Sequence, residues 1–314
     1  MSARIRRSWL VVPMSKAEQI ARASRSGADV IVLDLVEFVA EEDKPAARER
    51  VQAAIRTAHA GGAEVFAQVD PEMLVADLHA CAWPGLTGVI VSRLESPEQV
   101  AEVNGLLAEL EVRRGILHGA LEIVAALETA RGNHAAYDIG RASPRIRGLT
   151  LGRADLIMDL RPEPSGEIHL MPYLMQRRIA VARALGVTPI GAWWRAPARG
   201  LLAGPDDTYH AARRGRAIGF TGSLCIDVNQ VEPLNRGFTP DDAEAAVANE
   251  LMTAYRAGVA RGVALIKQGD RLVDRGAATQ ARALLDRAAA CAARDREKAE
   301  MAARWPDRNI TGRH

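Results

Sequence analysis

A chain of 314 residues with 48% apolar and 25% charged side chains has the profile of an ordinary soluble globular protein, with length for one large domain or two small ones. Lysine and arginine at 41 against aspartate and glutamate at 39 leave a formal charge of +2, and aromatics are only 4%, so the basic field and stacking surfaces that nucleic acid requires are missing. Cys81, Cys225 and Cys291 are odd in number, far apart and without CxxC spacing, which argues against a disulfide framework or a structural zinc site. They read instead as small buried apolar side chains in a reducing compartment.

Arg4, Arg6 and Arg7 open the chain, but the apolar run after them, Trp9 to Pro13, is far too short for a signal sequence or a membrane span. A cytoplasmic location with no membrane partner is therefore expected. That run is the first of eight short apolar, β-branched segments; the others are Asp29 to Val36, Glu64 to Val69, Gly88 to Leu94, Leu121 to Leu127, Ile146 to Gly152, Thr188 to Trp193 and Ser223 to Asp227. Most are nearly uniformly apolar, as strands buried on both faces should be. Helical stretches lie between them. Ser15 to Ser26 opens on a serine placed to cap it, Glu42 to His59 carries good helix formers, and Gly27, Gly61, Gly62 and Gly186 punctuate helix ends.

Eight strand–helix units by about residue 240 predict an α/β fold of the closed (β/α)8 TIM-barrel type, which typically needs about 250 residues. A doubly wound open sheet is the alternative, and the absence of GxGxxG after the first strand counts against it. Beyond Pro240 the pattern becomes Ala-, Arg- and Glu-rich helix without strand runs, Asp241 to Val259 and Gly276 to Ala302, joined by Ala264 to Asp274. The expected division is a barrel over 1–240 and a C-terminal helical cap or oligomerisation segment over 241–314.

In a parallel barrel the catalytic side chains sit where the strands end, because the loops there surround a common mouth. Strand two ends at Asp34 and Glu37, strand three at Gln68 and Asp70, strand four at Ser92, Arg93 and Glu95, strand five at Glu128, and strand six at Arg153 and Asp155. Glu128 and Asp155, on adjacent strand ends, would repel each other unless a proton or a cation lay between them, and a hard divalent ion such as Mg2+ suits oxygen ligands of this kind. The competing reading is that each acid pairs with Arg131 or Arg153, or faces solvent.

A series of motifs occurs in order along the chain: Ser8-Trp9-Leu10-Val11-Val12-Pro13, Gly27-Ala28-Asp29-Val30-Ile31-Val32-Leu33-Asp34-Leu35, Lys44-Pro45-Ala46-Ala47-Arg48, Leu127-Glu128-Thr129-Ala130-Arg131-Gly132, Gly152-Arg153-Ala154-Asp155-Leu156 and Gly219-Phe220-Thr221-Gly222-Ser223-Leu224-Cys225-Ile226. Together they resemble the citrate lyase β-subunit-like branch of the HpcH/HpaI aldolase superfamily, from about residue 7 to residue 285. The resemblance implies a (β/α)8 barrel that cleaves or forms carbon–carbon bonds in β-hydroxyacyl-CoA thioesters with Mg2+ (or Mn2+) as electrophile. It implies that Glu128 and Asp155 ligate the metal and that the chain forms a homo-oligomer, a trimer or hexamer. It also places Asp274 where relatives carry an aspartate that reaches a neighbouring subunit's active site, although a helix N-cap fits Asp274 equally well.

Departures from that pattern collect around the mouth. Relatives end strand two in Leu-Asp-Leu-Glu-Asp, where this chain has Leu33-Asp34-Leu35-Val36-Glu37, and end strand three in Arg-Val-Asn, where it has Gln68-Val69-Asp70. Losing that arginine removes a charge-assisted contact to the substrate worth about 1.5–3 kcal/mol. Met14 replaces a glycine, Ser92-Arg93 a Pro-Lys, Gly191-Ala192 an Asp-Gly and Asp227-Val228 a His-Pro. Trp193 and Trp194 read either as a packed lid or interface, or as a substrate platform.

The function expected is a Mg2+-dependent carbon–carbon lyase or condensing enzyme acting on a β-hydroxy carboxylic acid or its acyl-CoA ester. Asp274, Asp34 and Glu37 are the catalytic candidates, and Gln68, Asp70, Arg93, Arg153 and Trp193 the substrate-binding ones. An acyl-CoA thioester hydrolase and a catalytically silent ligand-binding relative are the alternatives.

Overall fold

The computed structural model describes residues 4–151, 156, 159–160, 170–194, 202–269 and 271–304. Strands β1 (Ser8–Pro13), β2 (Val30–Asp34), β3 (Glu64–Val69), β4 (Gly88–Val91), β5 (Glu122–Ala126), β6 (Ile146–Thr150), β7 (Thr188–Ile190) and β8 (Ser223–Cys225) occupy all eight predicted segments. They pair in parallel in the order β7-β6-β5-β4-β3-β2-β1-β8. A parallel bridge between Ile190 and Gly222 joins the two ends of that sheet, with the Gly191 N–H donating to the Gly222 carbonyl at 2.7 Å. The sheet thus closes into the expected barrel. Closure needs glycine at 222, because a Cβ there would lie 1.9 Å from the Arg6 carbonyl oxygen.

Alternation along the strands sorts side chains into two layers. Trp9, Val11, Val30, Val32, Phe66, Ile90, Val124, Ala126 and Ile190 fill the interior. Leu10, Val12, Ile31, Leu33, Val65 and Ala67 face the helices in a second, larger cluster. Both faces are buried, which is why the strands read as unbroken apolar runs. At the N-terminal end the Arg6 guanidinium lies 5.0 Å from the Phe66 ring and bonds Glu64 at 2.5 Å and Glu122 at 2.6 Å, filling that end of the barrel with a charged plug.

Around the strands run α1 (Ala17–Ser24), α2 (Lys44–His59), α3 (Leu74–Cys81), α4 (Pro97–Arg113), α5 (Ala130–His134), α6 (Ala136–Arg141), α7 (Leu170–Leu185), α8 (Pro205–Ile218) and α9 (Val231–Phe238). Gly27, Gly62 and Gly186 follow helices with left-handed φ of 74°, 82° and 69°, as the sequence predicts. Ser15 does not cap α1: the cap position falls on Lys16, whose side chain makes no capping bond.

The tail consists of α10 (Asp242–Ala260), strands β9 (Ile266–Gln268) and β10 (Arg271–Val273), and α11 (Arg275–Arg304). The sequence predicts no strands here. The hairpin that joins the two helices has three-residue strands, too short to show as an apolar run, and it is set by pairing Ile266 with Val273. The last helix is fixed to the barrel by buried charge. Lys298 Nζ lies 2.5 Å from Asp29, and Arg7 bonds Asp29 through Nε at 2.8 Å and Asp295 through Nη2 at 2.5 Å. All three cysteines are free and buried. Among the described residues no helix is long and apolar enough to cross a membrane.

Candidate active site at the barrel mouth

The alternation that buries Val32, Phe66, Ile90 and Ala126 inside the barrel continues one step further at each strand end, turning Asp34, Gln68, Ser92 and Glu128 toward the same interior at the C-terminal mouth. All four are buried. Gln68 Nε2 donates to Ser92 Oγ at 3.0 Å, so the two polar replacements on β3 and after β4 satisfy one another.

Glu128 is held by its own motif and by the neighbouring loop. Thr129 Oγ1 caps α5 by accepting the Gly132 N–H at 3.0 Å, and Asn133 Nδ2 donates to the carbonyls of Leu127 at 3.0 Å and Thr129 at 2.8 Å. Gly132 is required by close approach, since a Cβ there would stand 2.3 Å from the Leu94 carbonyl oxygen. Glu128 Oε2 accepts the backbone N–H of Arg93 at 3.0 Å. To present that N–H, Arg93 adopts φ 49°, the one left-handed non-glycine conformation among the described residues.

The Arg93 guanidinium bonds Asp70 Oδ1 at 3.0 Å, and Asp70 Oδ1 also accepts the Glu72 N–H at 3.0 Å. Behind Asp70 the fully buried Asp77 takes the Asp70 N–H at 3.0 Å and Arg48 Nε at 2.8 Å, which gives Arg48 of the Lys44–Arg48 motif a supporting place. Burial pushes the Asp77 carboxyl above the ordinary range against those bonds. Burial likewise raises Asp34, although its carboxylate accepts N–H donors from Val36, Glu37 and Phe38. Asp34 therefore shapes the loop after β2, and Glu37 stands exposed on that loop.

Elsewhere at this end, Trp193 and Trp194 are partly buried against the outer apolar cluster, with the Trp193 N–H on the Ala211 carbonyl at 3.1 Å. Asp227 caps the turn after β8, accepting the Asn229 N–H at 2.7 Å. Arg131 lies 3.9 Å from Glu95. Asp274 Oδ1 accepts the Ala277 N–H at 2.7 Å as the residue before α11, and it is exposed. Arg153 and Asp155 lie outside the described residues.

One residue at the mouth carries no sequence signal. Arg178 of α7 is buried, donates to the Thr150 carbonyl at the end of β6, and bonds Asn133 Oδ1 at 2.6 Å. Burial, and then the nearby charge of Arg177, bring its pKa down to about 9 against the opposing pull of the Glu128 charge. In a helix that carries three arginines, such a residue is indistinguishable by sequence from Arg177 beside it.

The donor set at the mouth suits a hard cation. Glu128 is a preorganised carboxylate, and Mg2+ is held through one or two carboxylates while keeping several waters. Among the described residues no group of three or more His, Cys, Asp or Glu converges on one point.

Residues 7–228 match the model of the HpcH/HpaI aldolase/citrate lyase family. A citrate lyase subunit beta-like protein of Deinococcus radiodurans is 30% identical over 286 residues, 89% of this chain and 96% of the relative. The L-malyl-CoA/beta-methylmalyl-CoA lyase of Cereibacter sphaeroides is 27% identical over 310 residues, covering 91% of this chain and 95% of that one. The crystal structure of the protein CitE from Mycobacterium tuberculosis, in complex with magnesium, acetoacetate and coenzyme A, superimposes with a TM-score of 0.70 at 26% identity over 92% of this chain and 99% of that one. With the closed barrel, the ordered strand-end motifs and this match agreeing over most of its length, the chain belongs to the HpcH/HpaI aldolase/citrate lyase family.

Proposed function

We propose that this protein is a Mg2+-dependent carbon–carbon lyase that acts on the CoA thioester of a β-hydroxy carboxylic acid, with Glu128 and Asp155 as metal ligands. The observation that carries this reading is the buried Glu128 carboxylate, fixed at the mouth of a family barrel by the Arg93 N–H at 3.0 Å. Glu128 and Asp155 would hold the cation, which when bound would supply Lewis-acid polarisation of the substrate carbonyl. Mn2+ fits the same oxygen donors.

The chain's own groups supply binding and orientation. Arg93 stands in for the arginine that Gln68 replaces: its guanidinium, 44% exposed and resting on Asp70, is available to a substrate carboxylate. Gln68 and Ser92 offer neutral donors to substrate oxygens, Arg153 a second cation, and Trp193 an apolar wall. Asp34 and Glu37 set the loop after β2. Asp274 acts as acid/base from an adjacent subunit of a homo-oligomer: it is exposed, and beside it on the tail Val259, Val263, Leu265 and Leu272 are apolar and exposed, as an interface would leave them in a single chain. The barrel over 1–240 thus carries the metal site and the segment over 241–314 completes a neighbour's, in a cytoplasmic enzyme.

The test is turnover of a panel of β-hydroxyacyl-CoA esters with and without Mg2+, following the carbonyl fragment and free CoA separately. Glu128→Gln and Asp274→Asn should each abolish cleavage, and mixing the two inactive proteins should restore part of it through shared sites. Release of free CoA without a carbonyl fragment would instead show thioester hydrolysis, and metal-independent turnover or full activity of Glu128→Gln would overturn the proposal.

A further inference from the structure

We infer that Arg178 is a positioning residue that locks the end of β5 to the end of β6 and thereby sets the metal-binding geometry of Glu128; this rests on the metal reading above. Arg178 enters from α7, behind the mouth, and is one of the largest fully buried side chains of the protein. Its guanidinium forks: Nη1 donates to the Thr150 carbonyl, where β6 ends, and Nη2 bonds Asn133 Oδ1 at 2.6 Å. Asn133 passes the connection on through Nδ2 to the Leu127 and Thr129 carbonyls, at 3.0 and 2.8 Å, the two residues that flank Glu128. One buried cation therefore holds the backbone on both sides of Glu128 and the strand end from which the chain continues to Asp155.

A structural arginine of this kind is costly. Among the described residues its Nε is buried without a hydrogen-bond partner, and neither hydrogen-bonded acceptor is a carboxylate. The remaining compensation is electrostatic, from Glu128. A planar fork spans two acceptors that a point-charge ammonium cannot hold together. Lysine at this position keeps the charge and loses the geometry, which separates positioning from simple electrostatics.

The experiment is Mn2+ titration followed by electron paramagnetic resonance on the full-length wild type, Arg178→Lys, Asn133→Ala and Glu128→Gln, with circular dichroism and thermal melts on each. Asn133→Ala leaves the arginine in place and serves if Arg178→Lys does not fold. Partners that orient a metal ligand are expected to change affinity by about 10–100-fold, so the Kd for Mn2+ should rise by that factor in the folded variants. Wild-type binding that is lost in Glu128→Gln but unchanged within about twofold in folded Arg178→Lys or Asn133→Ala would overturn this inference alone. Absent binding in the wild type, or Glu128→Gln binding as tightly as wild type, would overturn the metal reading and this inference with it.

Discussion

Replacing Arg93 by glycine and, separately, by alanine separates its backbone from its side chain. At φ 49° an L-residue bears about 1–2 kcal/mol of steric cost that glycine does not. Glycine gives back about 0.5–1 kcal/mol through the greater freedom of its unfolded chain. Both variants lose the Asp70 ion pair, which is partly exposed and worth about 0–1 kcal/mol. R93G should therefore be more stable than R93A by up to about 1.5 kcal/mol, seen as a melting temperature higher by as much as about 3–6 °C. Both should raise KM for an anionic substrate by about 10- to 150-fold, the equivalent of a charge-assisted contact of about 1.5–3 kcal/mol. Differential scanning calorimetry and initial-rate kinetics read the two effects. R93A melting at or above R93G would refute the backbone argument, and an unchanged KM in both would refute the role of the guanidinium.

Arg145 and Glu111 form a buried bidentate pair with both contacts at 2.6 Å, so Arg145→Met should cost about 3–5 kcal/mol in urea unfolding by stranding a carboxylate; a loss under about 1 kcal/mol would contradict this. For Asp29, burial alone would raise the carboxyl, but the bonds and charge of Arg7 and then Lys298 outweigh it and hold it below the ordinary range, and Asp295 is lowered through Arg7 in the same way. Because these folded pKa values lie below the unfolded value of about 3.9, their stabilisation is complete above that value and is lost as pH falls through the folded ones. Lys298→Met should flatten the acid limb of a stability–pH curve, and an unchanged limb would remove this network from acid denaturation.

Much of this architecture is legible in residue order. Strands buried on both faces must be apolar throughout, so Val30 to Leu33 or Glu64 to Val69 betray themselves without any knowledge of partners. The strand-end carboxylates follow from the rule that the mouth lies where parallel strands finish. What the sequence conceals depends on neighbours distant in the chain. Arg178 is separated by 45 residues from the asparagine it fixes, and nothing local distinguishes it from Arg177. Arg93 reads as an ordinary polar residue after a strand, because its left-handed backbone is imposed by Glu128 35 residues later. Ser15 fails as a cap for a different reason: the turn after β1 runs on to Lys16 before the helix begins.

The buried staple between the first strand and the last helix bears on how the protein is made. Arg7 reaches Asp29 early, but its contact with Asp295 spans 288 residues, and Lys298 meets Asp29 across 269. A nascent chain on the ribosome can pair Arg7 with Asp29 once both have emerged, but it cannot add Asp295 and Lys298 until α11 has emerged, so a chain lacking that helix leaves this end of the barrel uncovered. Protease resistance at the barrel floor should therefore arrive only with α11, and chains truncated before that helix should be distinguishable from chains that contain it by that alone.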